Sequence, residues 1–180
     1  GRLDGNHGIG LGVYGKGSEA TASDLVIAGG LPVPGAPGGG IGAAALSGGH
    51  LVLRDSRLHG NITAGLLVAG YGARLVGEHL LVDGTLPRPD TDDDGHGARA
   101  QDGGELQLRE VRLSGNHEHG LAVEATGSVA IVEDLLVDHT APRLNDGNDG
   151  QGVAVSRGAR LIGRRLRLHR NHTAALVVGH

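Results

Sequence analysis

Aliphatic and polar residues alternate along this chain in runs of three or four, and small-residue corners interrupt the runs. One complete passage reads Gly65-Leu66-Leu67-Val68, a corner, Ala73-Arg74-Leu75, a polar pair at Glu78-His79, then Leu80-Leu81-Val82. Period-two patterning over so few residues predicts short β-strands, because successive strand side chains point to opposite faces. The passage is rewritten along the whole chain. Asn6, Asn61, Asn116 and Asn171 each open a copy, 55 residues apart, with nothing inserted or deleted. Repeats run approximately over 5–59, 60–114 and 115–169, with a partial copy at 170–180.

Each repeat divides into two coils of the same grammar. The last strands align at Leu25, Ser56, Leu80, Val111, Leu135 and Leu166, so the spacing alternates between 31 and 24 residues. The extra seven residues are expected after the third strand of the first coil. A coil of three short strands cannot bury its own apolar face, whereas stacked coils bury it jointly, each strand pairing in parallel with its counterpart about 4.8 Å away. The predicted fold is all-β: a parallel β-helix (β-solenoid) forming a single domain over 1–180.

The N-x-x-x-G units at Asn6, Asn61 and Asn116, with Ala175 in the place of the glycine at Asn171, and Gly72-Ala73-Arg74-Leu75 and Gly158-Ala159-Arg160-Leu161, resemble the right-handed parallel β-helix repeat proteins of the pectate-lyase-like superfold. That resemblance implies the fold across essentially the whole chain. It says little about activity, since the fold carries lyases, hydrolases, adhesins and structural proteins. It also implies an extracellular or cell-surface setting, which no sorting signal in the sequence supports by itself.

Composition agrees with a thin layered core. Phe, Trp, Met and Cys are absent, Tyr14 and Tyr71 are the only aromatics, and glycine, at 35 of 180 residues, follows no collagen triplet. The formal net charge of −4 points to neither nucleic acid nor an anionic membrane. No stretch approaches the ~18 apolar residues of a membrane span. Without Met at the start, and with both ends falling mid-pattern, the chain reads as a processed product or an excerpt of a longer repeat protein.

The register places residues in columns along the stack. Asn6, Asn61, Asn116 and Asn171 alternate with Gly30, Thr85 and Thr140, and are expected to satisfy corner backbone. Arg54, Glu78, Arg109, Glu133 and Arg164 form an alternating charge column, expected to pair along the axis and to penalise a slipped coil. Beside it, Asp24, Asp55, His79, Glu110, Asp134 and Arg165 are mostly acidic, which should raise carboxylate pKa values or collect cations. A further column reads Asp4, Ala28, His59, Asp83, Ser114, Asp138 and His169. It holds the residue types of a catalytic triad, but Ser114 falls between two Asp with each His two coils away, so a solvated ladder is expected.

The long connections differ. The first, 31–40, is apolar. The second contains Asp90-x-Asp92-x-Asp94-Gly95, the opening of a calcium loop, although Gln101 stands where the closing Glu belongs. Asp90, Asp92 and Asp94 are therefore the candidate metal ligands, with Ca²⁺ as the candidate ion. Arg88, His96, Arg99 and Arg143 are the basic residues nearest these loops. Among eleven His, only His117 and His119 are close in sequence, too few for zinc on their own. The expected function is a noncatalytic structural solenoid, part of a surface or secreted repeat protein or fibre, self-associating through its coil ends. The alternative is a carbohydrate-binding or polysaccharide lyase- or hydrolase-like β-helix with a polysaccharide partner. Its scarce aromatics and unbroken columns weigh against it.

Overall fold

A computed structural model describes residues 1–34 and 39–179 of the chain. Gly35–Gly38, within the first apolar connection, and the last residue of the partial repeat lie outside the described residues. Among the described residues every regular element is a strand, and all named strands pair in parallel. Seven form one sheet: β2 (Ile9–Tyr14), β5 (Ile41–Leu46), β7 (Ala64–Ala69), β9 (His96–Gln101), β11 (His119–Glu124), β13 (Gln151–Ser156) and β16 (Leu176–Val178), stacked in that order. Nine form the other. Its axis runs β1 (Arg2–Asp4), β4 (Val26–Ala28), β6 (His50–His59), β8 (Arg74–Asp83), β10 (Glu105–Ser114), β12 (Val129–Asp138) and β14 (Arg160–Arg164). The remaining two, β3 (Glu19–Ser23) and β15 (Arg167–His169), pair with β6 and β12. The chain is a β-solenoid.

The three short strands per coil are present, but in the middle coils the second and third run on as one ten-residue strand. A single left-handed residue bends them. Asp24, Asp55, His79, Glu110, Asp134 and Arg165, the column of mixed acids and bases, have φ between 47° and 56°. One residue of this conformation turns the strand while the ladder resumes on either side of it. At the first and last coils the same residue separates β3 from β4 and β14 from β15.

The expected step of 31 and 24 residues holds throughout the nine-stranded sheet, as in Arg74↔Glu105 and His50↔Arg74. In the seven-stranded sheet the step is 32 and 23, as in Leu66↔Ala98 and Leu121↔Ala98. The long connection therefore carries eight extra residues rather than seven, and the following corner gives one back: Tyr14 to Glu19 and Ala69 to Arg74 span one residue more than Leu46 to His50 and Gln101 to Glu105.

The core is a set of aliphatic ladders between the sheets. Leu51, Leu75, Leu106 and Ala130 stack in one column, and Leu58, Val82, Leu113 and Val137 in another, all fully buried. Facing them, Ala43, Leu66, Ala98, Leu121 and Val153 mix small and large side chains. This filling explains how the chain dispenses with Phe and Trp: two narrowly spaced sheets leave room for aliphatic side chains only.

In the asparagine column Asn61 and Asn116 are buried and Asn171 half-buried, and all three are bonded to the preceding coil. The Oδ1 of Asn61 accepts from Gly30 N–H at 3.2 Å, that of Asn116 from Thr85 N–H at 3.0 Å, and that of Asn171 from Thr140 N–H at 3.2 Å. The amide nitrogens donate to the carbonyls of Ile27, Val82 and Val137 at 3.1, 3.3 and 3.3 Å. Asn61, Asn116 and Asn171 thus tie the strand end of the preceding coil to the corner that follows it.

Candidate functional site

The surface columns lie where the register puts them, yet they are occupied by pairing. Glu78 sits between Arg54 and Arg109. Its carboxylate binds Arg54 Nε at 2.6 Å, and that hydrogen bond holds its pKa below the usual carboxylate range. The zipper is incomplete: Arg109 turns to Glu110 of its own strand at 3.7 Å, while Arg164 reaches Glu133 at 3.3 Å. In the bend column His79 bridges Asp55 and Glu110 at 3.1 and 3.3 Å. The expectation of raised carboxylate pKa values there fails at Asp134. The hydrogen bond from Arg165 Nε, at 2.6 Å, pulls Asp134 down instead. The base that ends the column outweighs its acidic neighbours.

Ser114 stands between Asp83 and Asp138 in register, and His59 Nδ1 bonds Asp83 at 2.8 Å. Arg57 and Arg112 also bind Asp83 and Asp138, each at 2.7 Å. Serine and histidine do not meet, so the geometry of a nucleophilic triad is not assembled.

The calcium-loop carboxylates are drawn to separate partners. Asp90 pairs with Arg88 at 2.8 Å. Asp92 takes a left-handed backbone, φ 57°, and its carbonyl accepts Leu144 N–H of the next inserted loop at 3.3 Å. Asp94 alone turns into the body of the solenoid. There it meets Arg99 Nη1 at 3.0 Å and His96 Nε2 at 3.3 Å. Among the described residues, the carboxylates of Asp90, Asp92 and Asp94 do not gather into one three-ligand group.

A different group does gather at the base of the same loops. His96 opens β9 and His119 opens β11, so the two imidazoles sit on successive coils. Their rings stack at 5.1 Å between centroids, 25° from parallel. Glu118, just before β11, has φ 57°, which folds its side chain back beside them. Its Oε2 accepts Asp94 N–H at 2.6 Å, and its Oε1 lies 3.8 Å from His119 Nδ1. One ligand atom from each of His96, Glu118 and His119 falls within 4.8 Å of the others.

Burial governs the electrostatics of this cluster. The His96 side chain is 2% exposed and that of His119 10%. Burial, followed by the neighbouring His96, pushes His119 down to about 3, so it is neutral at physiological pH. Burial likewise raises Glu118 above its ordinary value. At Asp94 burial pushes upward too, but the hydrogen bond to His96 and the charges of His96, Arg99 and Arg88 outweigh it, and Asp94 is held low. Arg99 also reaches Glu124 at 2.7 Å, and Arg143 reaches Asp149 at 2.8 Å. The nearby cations are therefore neutralised by carboxylates.

Two buried imidazoles and a carboxylate within reach of one another are a donor set for a divalent metal ion. Sequence proximity pointed elsewhere, to His117. The structure turns its Nδ1 to the Thr85 carbonyl at 3.0 Å. The signal that finds the cluster is the column itself: Ile9, Ile41, Ala64, His96, His119 and Gln151 occupy one position in successive coils, apolar first and then polar.

No protein-family model, curated protein or solved structure matches the chain.

Proposed function

We propose that this chain is a noncatalytic structural β-solenoid, a segment of a surface or secreted repeat protein or fibre, and that copies of it associate end to end. The observation that carries the reading is the character of the two end coils. Among the described residues, β2 and β16 each have one ladder edge unpaired, as do β1, β3, β14 and β15 in the other sheet. At one end Leu176 and Val178 remain exposed, Val178 at 74%. At the other, Leu3, Leu11 and Leu25 are only partly buried against the core cluster. A parallel edge continuous with an apolar ladder is a template for another strand of matching period.

The side-chain chemistry supports the same reading. Along the outer faces, carboxylates are held in ion pairs with Arg or His of adjacent coils, which suits a stiff rod. Sedimentation and negative-stain microscopy of the purified chain, across a concentration series, test it. Concentration-dependent rods or filaments are expected, and Val178→Lys with Leu176→Lys should shorten or abolish them, since charge on an edge strand opposes pairing. A monodisperse monomer at every concentration, or cleavage of pectin-like polymers by the chain, would overturn the proposal.

A further inference from the structure

We infer that His96, Glu118 and His119 form a binding site for a divalent transition-metal ion of the zinc class, held between β9 and β11. The first support is geometric. Three ligand atoms within 4.8 Å of one another leave a point no more than about 2.8 Å from each, so closing to the ~2.0–2.2 Å of a zinc–nitrogen or zinc–carboxylate bond needs shifts below about 1 Å. Side-chain rotation supplies that.

The second support is independent of the cluster's shape. The Nδ1 atoms of His96 and His119 are both buried and have no hydrogen-bond partner among the described residues. A buried polar atom without a partner costs on the order of a hydrogen bond, and proteins rarely leave two side by side. The other nitrogen of His96 faces Asp94 Oδ1 at 3.3 Å, and Arg99 fixes that carboxylate from the far side at 3.0 Å. A carboxylate behind an imidazole is how metal-binding histidines are commonly oriented, with the second nitrogen left free to coordinate. Glu118 is anchored too, through the Asp94 N–H at 2.6 Å.

The fold does not require these groups. The same column holds Ile9, Ile41 and Ala64 in the earlier coils, so a small apolar residue is compatible with the backbone there. Imidazole donors select a borderline metal over Ca²⁺ or Mg²⁺, which take oxygen ligands. The site is distinct in both residues and ion from the calcium-like sequence Asp90-x-Asp92-x-Asp94. It is also independent of end-to-end association.

The test is a titration of the untagged chain with Co²⁺, followed by visible absorption, and with Zn²⁺ in competition with a chromophoric chelator. One equivalent is expected to bind, with d–d bands that Zn²⁺ bleaches. A Zn²⁺ excess of a hundredfold over Kd should raise Tm by roughly 5–10 °C. His96→Ala and His119→Ala should each weaken binding at least about tenfold, and Glu118→Gln should weaken it as well. His117→Ala should leave it unchanged. If an alanine variant fails to fold by circular dichroism, Glu118→Gln and the spectrum of the unmodified chain decide. Absence of Co²⁺ bands and of Zn²⁺ competition, with metal in excess over the chain, overturns the inference. So does unchanged affinity in folded His96→Ala and His119→Ala chains.

Discussion

Replacing Asn116 with alanine should destabilise this solenoid far more than any substitution on its charged faces. Asn116 is fully buried. Its Oδ1 accepts from Thr85 N–H at 3.0 Å, and its Nδ2 donates to the Val82 carbonyl at 3.3 Å. Thr85 lies in the preceding coil's corner, where the backbone has left one sheet and has not entered the next, and Val82 stands near the end of β8, just before that corner. Alanine would strand both. An unsatisfied buried group costs about 1–3 kcal/mol, so the pair is worth about 2–6 kcal/mol. Asn6 is the internal control. It holds the same position in the first coil, is only half-buried, and its Nδ2 has no partner. Asn6→Ala should cost less than about 1 kcal/mol by the same reasoning. Urea denaturation followed by far-UV circular dichroism gives both values, read as a shift in midpoint with the slope compared, since a change in slope would show that the coils no longer unfold together. Equal losses for Asn116→Ala and Asn6→Ala, or a loss below about 0.5 kcal/mol for Asn116→Ala, would refute the claim that this ladder holds the corners.

Gly120→Ala should be strongly destabilising, because a Cβ there would overlap Val137 Cγ1 and lie 2.7 Å from the Gly152 carbonyl; Gly115→Ala, with open space but φ 61°, should cost only the strain of a left-handed alanine, roughly 1–2 kcal/mol by thermal melting. Glu78→Ala should cost no more than about 1 kcal/mol, since its partner Arg54 is largely solvated, and 0.5 M NaCl should shrink the difference in a denaturation experiment. Acid should weaken the fold through His119. Its folded value of about 3 lies below the unfolded 6.5, so the unfolded chain takes the proton first and stability is lost as pH falls from about 6.5 towards 3, by at most about 1.4 kcal/mol per pH unit. In chelator, His119→Gln should be flatter over that window than the parent; parallel curves would show that His119 is not held neutral.

The repeat was legible because its signal is redundant. Each φ-x-φ run fixes which face points inward, and six such runs fix the register. The alternation at Arg54, Glu78, Arg109, Glu133 and Arg164 then follows. Two things escaped. The nine-stranded and seven-stranded sheets step differently, because the corner after each short connection is one residue longer than the corner after a long one. That single residue is invisible where small residues fill every corner. The buried cluster escaped for a related reason. Counting His by the 55-residue phase groups His7, His117 and His172, and counting by nearness pairs His117 with His119. The structural partner of His119 is His96, one short step of the other sheet away. In the acidic loop the alternating carboxylates match a calcium loop in spacing, and in the structure Asp90 and Asp94 pair with Arg88 and Arg99.

The winding itself is best tested by distances between coils. The chain has no cysteine, so spin labels can be placed in chosen pairs. Thr21, Val52, Val76, Gln107, Ile131 and Ile162 lie in one outward-facing column. Pulsed electron paramagnetic resonance on Thr21→Cys with Ile162→Cys should give a separation near 24 Å, five steps of about 4.8 Å. Val52→Cys with Ile162→Cys should be one step shorter, about 19 Å. Separations that fail to shorten by one strand spacing when one coil is skipped would contradict the solenoid.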